Sequence, residues 1–496
     1  MEKITTPIFD FLEKYKAADS TTANCQLSTV NCTLCRVRAH MPGHKGRDVF
    51  GKGLERLFEY DITEIKGADE LFEAEGIIAE SEKNASRLFG TAATFYSAGG
   101  STLCIQAMLA AVCKKSSAFG QVTIQKNVTH GNNLPLLTKY AYKGKGSAFI
   151  CGRTAHRSVM NSCVLLGLEP CWVYPEYEEG SAVSGEITPE AVRTAIEENA
   201  YKKPACVFIT SPDYLGKIAD IKGISEVCHE SGIPLIVDNA HGAYLAFTEQ
   251  SRHPIHMGAD MCCDSAHKTL PVLTGGAYLH IGDGLCEKNI PEIKRCMALF
   301  GSSSPSYLIM ASMDLCNKYL SESFRDDLKI TAEKISEIKK QLCGVYSFYG
   351  DEPLKMTVYA FPCGLTGYEL AERLREGGVE PEYADLTHVV MMFSTANTDE
   401  DFDRVLRAMK SVRMPRIRLE PPDFEPDRPA VKMLPREAFF AERETVPAEK
   451  SLGRIAAEAV TVCPPCVPVI MAGEEINENT IKILKNYSIF QINVLK

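Results

Sequence analysis

Residues 205–243, ACVFITSPDYLGKIADIKGISEVCHESGIPLIVDNAHGA, carry the order from which the fold is read. An apolar run, Ala205–Thr210, ends in the polar turn Ser211-Pro212-Asp213-Tyr214. A helix-like segment follows over 221–231, and a second apolar run, Pro234–Val237, ends in Asp238-Asn239-Ala240-His241-Gly242. Short β-rich runs alternating with helical stretches predict a mostly parallel sheet covered by helices on both faces. The pattern extends outward through candidate strands Ala93–Tyr96, Ala148–Cys151, Cys171–Tyr174 and Gly276–Ile281. Helix-like stretches at 101–113, 157–166 and 188–199 lie between them.

Ligands of open α/β sheets sit beyond the carboxyl ends of the strands, so the residues following each run are the candidates for chemistry. After the first run come Gly99, Gly100 and Ser101. Small residues opening a helix let backbone amides approach a phosphate, although no GxGxxG spacing or P-loop lysine accompanies them. The other ends supply His156, Ser211, Asp238 with His241, and Ser265-Ala266-His267-Lys268. Any one of these alone reads as ordinary surface or structure. Together they describe one pocket with a phosphate cradle, a flat imidazole, a buried acid and a lysine. That set meets the needs of pyridoxal 5'-phosphate: an amine for its aldehyde, a carboxylate for its ring nitrogen and donors for its phosphate.

Composition sets the limits. The 496 residues suggest roughly three domains at about 150 residues each, and 45% hydrophobic with 24% charged residues is ordinary for a globular chain. Lys plus Arg number 54 against 64 Asp plus Glu, a net charge of −10, which argues against nucleic acid as a partner. No apolar run approaches the ~18 residues of a membrane span. The start, MEKITTPIFDFLEKYK, reads as an amphipathic helix without a signal-peptide core, so a cytoplasmic location is expected and no membrane partner. The 19 cysteines are then read as mostly reduced thiols. The pairs Cys32/Cys35 and Cys463/Cys466 lie too far apart in sequence to complete one another, and no metal is expected.

The predicted organisation is an N-terminal arm over 1–50, a large domain over 51–300 and a small α/β domain over 301–413. A Pro- and charge-rich linker with a C-terminal module completes the chain over 414–496. Residues 313–345 read as one long helix, and 115–147 as an insertion.

Several motifs in fixed order resemble the bacterial Orn/Lys/Arg decarboxylases of the aspartate-aminotransferase-like class, fold type I among pyridoxal phosphate enzymes. They are His40-Met41-Pro42-Gly43-His44-Lys45, Asp61 through Leu71, Glu75 through Glu80, Ala155-His156-Arg157-Ser158, Val237 through Ala243, and Ser265 through Leu270. Ser304 through Leu308, Pro435 through Phe440 and Gly453-Arg454-Ile455-Ala456 continue the match nearly to the end. The resemblance implies a large domain built on a seven-stranded sheet, with Lys268 as the Schiff-base lysine. It places Asp238 at the pyridine nitrogen, His156 stacked on the ring, and Gly99, Gly100, Ser101, Ser265 and His267 at the phosphate. Ser211 and His241 fall near the ring, and His267 is a candidate proton donor. It further implies decarboxylation of a basic amino acid, arginine first with agmatine and CO2 as products, and lysine or ornithine as alternatives. A homodimer or higher homo-oligomer is implied as well. Asp213, Glu474 and Glu475 are the candidate acids for the distal cation of such a substrate. The chain departs from the family at Ala98-Gly99-Gly100-Ser101, where Asn-Gly-Thr-Ser/Thr is usual, and at Asn239, where Glu is usual. A non-catalytic homologue serving as a structural or regulatory subunit is the competing expectation.

Overall fold

The computed structural model describes residues 4–25, 41–42, 55–113, 147–177, 184–285, 290–415, 417, 419–420, 428–462 and 467–496. The proposed insertion, except Ser147, lies outside these residues, as do both CxxC pairs.

Seven strands form the central sheet: β1 (Ala93–Ser97), β2 (Ala148–Gly152), β3 (Glu169–Val173), β4 (Val207–Thr210), β5 (Leu235–Asp238), β6 (Met261–Asp264) and β7 (Ala277–Ile281). Their order is β1-β7-β6-β5-β4-β2-β3, and β7 alone runs against the rest. The predicted strands all form. β6 joins them, a short cysteine-rich stretch, Met-Cys-Cys-Asp, that lies outside the six apolar runs singled out in the sequence.

The central strands are buried on both faces, as a parallel sheet between two helical layers requires. Phe208 and Ile236 pack on one side with Leu103, Met108 and Val159. Val207, Ile209, Leu235 and Val237 pack on the other with Val192, Ile196, Ile224 and Val227. This period-2 alternation fixes which residue at each strand end points out over the site. The covering helices α3 (Gly100–Val112), α4 (Arg157–Leu166), α5 (Pro189–Glu198) and α6 (Ile221–Glu230) match the predicted segments closely, and α2 (Ile77–Phe89) precedes them. Thr188 and Asp220 cap α5 and α6 through their side chains, and Gly90 and Gly167 end α2 and α4 at positive φ.

The stretch read as one long helix is two, α7 (Tyr307–Ser321) and α8 (Phe324–Leu342), broken at Glu322-Ser323. Serines on both sides of Glu322 offer the backbone competing hydrogen bonds. Phe324 then turns into the core between Phe247 and Tyr319, with ring centroids 5.4 Å from each. Beyond α8 lies a four-stranded antiparallel sheet of β8 (Ser347–Tyr349), β9 (Lys355–Tyr359), β10 (Tyr383–Ala384) and β11 (His388–Met392), in the order β8-β9-β11-β10. Near the amino end, α1 (Pro7–Cys25) docks Ile8 and Leu12 into the main core. Near the carboxyl end, strands Arg443–Pro447 and Gln491–Leu495 pair antiparallel over a small core that includes Ile470 and Leu484. No helix among the described residues is long and apolar enough to cross a membrane.

Candidate active site

The strand ends do converge. Asp238 closes β5 and is 2% exposed. Its Oδ1 accepts from the Ala240 amide at 3.2 Å and from Cys263 Sγ at 3.8 Å, whereas Oδ2 takes no hydrogen bond among the described residues. Burial pushes its pKa up to about 6 and the neighbouring Lys268 opposes that rise. Lys268 sits on the short helix Ala266–Thr269 after β6. The residue opens to solvent, but its amine is directed inward among protein atoms, with Nζ 3.0 Å from buried His241 Nε2. Desolvation lowers its pKa; Asp238 works against that and Lys355 with it.

His156 follows β2 and caps α4. The Ser158 amide donates to its Nδ1 at 3.2 Å, so the neutral ring carries its proton on Nε2. Burial and then the Lys268 charge lower its pKa to about 4, which keeps the imidazole uncharged and suited to stacking. Ser211 donates its amide to the Asp238 carbonyl at 3.0 Å, and its Oγ accepts from the Ala219 amide at 3.1 Å. It thus ties the turn after β4 to the end of β5.

At the phosphate end, Ser265 Oγ donates to Ser101 Oγ at 2.8 Å, joining the turn after β6 to the first turn of α3. The two glycines act differently from the expectation. The Gly99 amide donates to Ser97 Oγ at 3.1 Å and the Gly100 amide to the Gly275 carbonyl at 2.8 Å, so neither is left for a phosphate. Gly100 instead supplies shape. Its φ of +69° is one L side chains rarely adopt, and a Cβ there would meet nothing within 4 Å. Beside that space stand the hydroxyls of Ser101 and Ser265 and the amides of Ser101 and Thr102 in the first turn of α3, which lack a partner within the helix. His267 Nδ1 lies 3.0 Å from the Gly276 carbonyl, to which it donates, leaving Nε2 for other partners.

Three acids expected near a substrate cation are committed elsewhere. Buried Glu474 pairs with Arg153, with both N–O distances 2.7 Å. Glu475 pairs with Lys432 at 2.9 Å. Asp213 accepts the amides of Gly216 and Lys217 at 2.9 Å each, together with the Ser184 hydroxyl. The acid brought to the site is Glu382, which precedes β10. It is exposed, accepts from Tyr214 Oη at 3.0 Å, and its charge acts on Lys268. Tyr214 in turn meets the His241 ring edge-on at 5.2 Å.

Sequence reading also missed a buried network under the lysine turn. Asp264 accepts from His253 Nε2 (3.1 Å), His280 Nε2 (3.2 Å) and Asn239 Nδ2 (2.7 Å). Burial favours its neutral form, but the two imidazoles prevail and hold its pKa below the usual carboxylate range. The Asn239 bond ties the end of β5 to the end of β6 and so sets Asp238 against Lys268. The signal was Asp264 itself, a carboxylate ending an apolar strand.

The donor set fits pyridoxal phosphate: a reactive amine, a buried carboxylate with one oxygen open, a neutral flat imidazole, and paired hydroxyls at a helix start with room beside Gly100.

Comparison with known proteins follows the same lines. The model for the Orn/Lys/Arg decarboxylase major domain matches residues 33–139 and 128–349, and that for the C-terminal domain of the same family matches 422–492. The chain is 29% identical over 476 residues to the arginine decarboxylase of Bacillus subtilis, covering 91% of this chain and 90% of that one. It is 28% identical over 478 residues to that of Halalkalibacterium halodurans, covering 90% of each. The solved lysine decarboxylase of Francisella novicida superposes with a TM-score of 0.74 at 16% identity, over 99% of this chain and 81% of that one. The constitutive lysine decarboxylase of Escherichia coli gives 0.73 at 17%, over 99% and 82%. These two likenesses concern the fold.

Proposed function

The chain belongs to the Orn/Lys/Arg decarboxylase family and is a basic amino-acid decarboxylase, and from that premise we propose that it converts arginine to agmatine and CO2 with pyridoxal phosphate held on Lys268. The observation that carries the cofactor reading is the juxtaposition of the Lys268 amine, 3.0 Å from His241, with buried Asp238 and its open oxygen. When bound, pyridoxal phosphate supplies an electron-accepting ring that stabilises the negative charge left on Cα as CO2 departs.

The chain's own residues do the rest. Lys268 would hold the cofactor through its Nζ, and Asp238 would keep the proton of the ring nitrogen in place. His156 would cover the ring. Ser101, Ser265 and the amides of Ser101 and Thr102 would hold the phosphate and so orient the ring. His267 or Lys268 delivers the proton to Cα. Glu382, oriented by Tyr214, takes the substrate's distal cation, a charge-assisted contact that suits a guanidinium or an ammonium. Arginine ranks first because the relatives matched over about nine tenths of their length carry that name. The family and the fold type further support a cytoplasmic homodimer or larger assembly acting in polyamine biosynthesis.

The test incubates purified protein and pyridoxal phosphate separately with arginine, lysine and ornithine, and identifies the amine formed. Agmatine as the dominant product is expected, together with loss of turnover in Lys268→Ala and a KM raised at least tenfold in Glu382→Gln. Cadaverine or putrescine as the main product overturns the arginine assignment. Absence of any amine, with no borohydride-trapped cofactor on Lys268, favours the non-catalytic homologue.

A further inference from the structure

Behind Lys268 lies a second lysine that the proposed reaction does not use. Lys355 opens β9 and is only 2% exposed. Its Nζ lies 2.8 Å from Glu352 Oε2, an ion contact between two fully enclosed groups. It donates to the carbonyls of Asp213 and Tyr214 at 3.4 and 3.3 Å. Its fourth neighbour is His241 Nδ1 at 3.5 Å, and the Nε2 of the same ring lies 3.0 Å from Lys268 Nζ. One imidazole therefore bridges two lysine amines.

That arrangement restricts who can carry protons. A protonated amine only donates, and a neutral imidazole has one donor and one acceptor nitrogen. His241 is held neutral, because its burial pushes its pKa well down. Lys355 Nζ is enclosed by Glu352 and two carbonyl oxygens, so its hydrogens are directed to acceptors and it meets its neighbours as a donor. Its contact with Nδ1 makes that nitrogen the acceptor and leaves the imidazole proton on Nε2, facing Lys268. A donor aimed at Lys268 Nζ is satisfied only by a lone pair there. We propose that Lys355, anchored by Glu352, is a positioning residue that fixes the His241 tautomer and so holds the Lys268 amine neutral and nucleophilic.

The surroundings agree in direction. Asp238, Glu382 and Cys263 face Lys268 and favour its charged form, while burial and Lys355 oppose it and prevail. Asp213, Tyr244 and Lys339 act on the Glu352 end, and Tyr214 lies against Lys355.

The inference rests on Lys268 being the reactive amine, and its test reads that amine without cofactor. Cofactor-free protein is labelled briefly with acetic anhydride from about pH 6 to about pH 11, a span bracketing ordinary lysine, and Lys268 is followed by peptide mass spectrometry. Wild-type Lys268 is expected to become reactive at lower pH than exposed Lys222. Lys355→Met removes the charge and lets the imidazole proton move to Nδ1, so labelling of Lys268 at pH 8 should fall roughly tenfold, the equivalent of about one pH unit. Lys355→Arg keeps the charge and should label like wild type. Because Lys355→Met strands Glu352, the neutral double variant Glu352→Gln/Lys355→Met carries the same expectation. An unchanged Lys268 profile in either folded variant overturns the proposal. So does a wild-type Lys268 that titrates no lower than Lys222, whether or not the variants fold. Failure of borohydride to trap pyridoxal phosphate on Lys268 would instead count against the cofactor reading and leave these labelling profiles standing.

Discussion

Asp238 shows what a working site costs its own fold. Its carboxylate is enclosed, and burial raises its pKa from the ordinary 3.8 to about 6. A carboxyl whose folded pKa exceeds its unfolded one is penalised when ionised. The penalty is absent below about pH 4, grows between about pH 4 and pH 6 and is complete above, where it amounts to roughly 2–3 kcal/mol. Asp238→Asn keeps the oxygen that accepts from Ala240 and removes the charge. The cofactor-free variant should therefore be more stable than wild type by up to about that amount at pH 8, with the difference closing as pH falls to about 4. Denaturant titrations at the two pH values measure it. Equal stabilities at pH 8 would mean that the charge is already compensated and that the site is not strained. The same variant should lose cofactor binding, since an amide cannot hold the ring proton as a carboxylate does. Residues such as Asp238, Lys268 and His156 were legible in the sequence because each lies within four residues of the end of a strand-like run, and a strand's end is where a parallel sheet exposes chemistry. Lys355 and Glu382 were not. They reach the site from another sheet, about a hundred residues downstream, and nothing local in Pro353-Leu354-Lys355 distinguishes a buried lysine from an exposed one.

At the scale of elements, α1 is held by a cap from outside its own sequence. Its first turn has Pro7 at the start and no Ser, Asp or Asn side chain serving as its cap. The amides of Ile8 and Phe9 instead donate to Asp314 Oδ2 of α7, at 3.0 and 3.1 Å. Asp314 Oδ1 also accepts the Ser81 hydroxyl of α2, so one buried carboxylate joins three helices. Asp314→Ala leaves two helix-end amides unsatisfied and takes from the Ser81 hydroxyl one partner while Tyr96 Oη remains at 2.7 Å, an expected loss of about 2–3 kcal/mol. Asp314→Asn retains acceptor oxygen and should cost less. Limited proteolysis within the first 25 residues, alongside chemical denaturation, reads the effect. Wild-type resistance to protease in Asp314→Ala would show that Ile8 and Leu12 packing suffices to hold the helix. An amphipathic helix at this end was readable from its apolar spacing. The cap was not, because a residue 300 positions away supplies it. The break between α7 and α8 was missed for a related reason: the apolar spacing of 313–345 continues through Glu322 almost in phase, and only the burial of Phe324 beside Phe247 reveals the change of direction.

The whole molecule is tied together by Arg153 and Glu474, and the tie ends near the site. Arg153 directly follows β2, three residues before His156, and its guanidinium lies over Trp172 and Tyr174 with centroid distances of 4.7 and 5.7 Å. Glu474 comes from the C-terminal segment, also accepts the Met471 amide at 2.8 Å, and is as enclosed as its partner. Burial works against the arginine's charge, but the facing carboxylate outweighs it and holds the guanidinium protonated. A buried pair of this kind contributes little net stability compared with a well-packed apolar substitute, whereas removing one partner strands a charge. Glu474→Gln preserves size and one acceptor, so its effect isolates the charge. It should cost about 3–5 kcal/mol, and the double variant Arg153→Met/Glu474→Gln should recover a large part of that loss by removing the stranded cation. Loosening Arg153 also frees the turn that aims His156, so cofactor affinity should weaken in the single variant and return in the double. Unfolding curves and cofactor titrations on the three proteins decide the matter. A single variant within about 0.5 kcal/mol of wild type, the range of ordinary surface substitutions, would show that water reaches this pair. The C-terminal segment would then stand on the fold without governing the site.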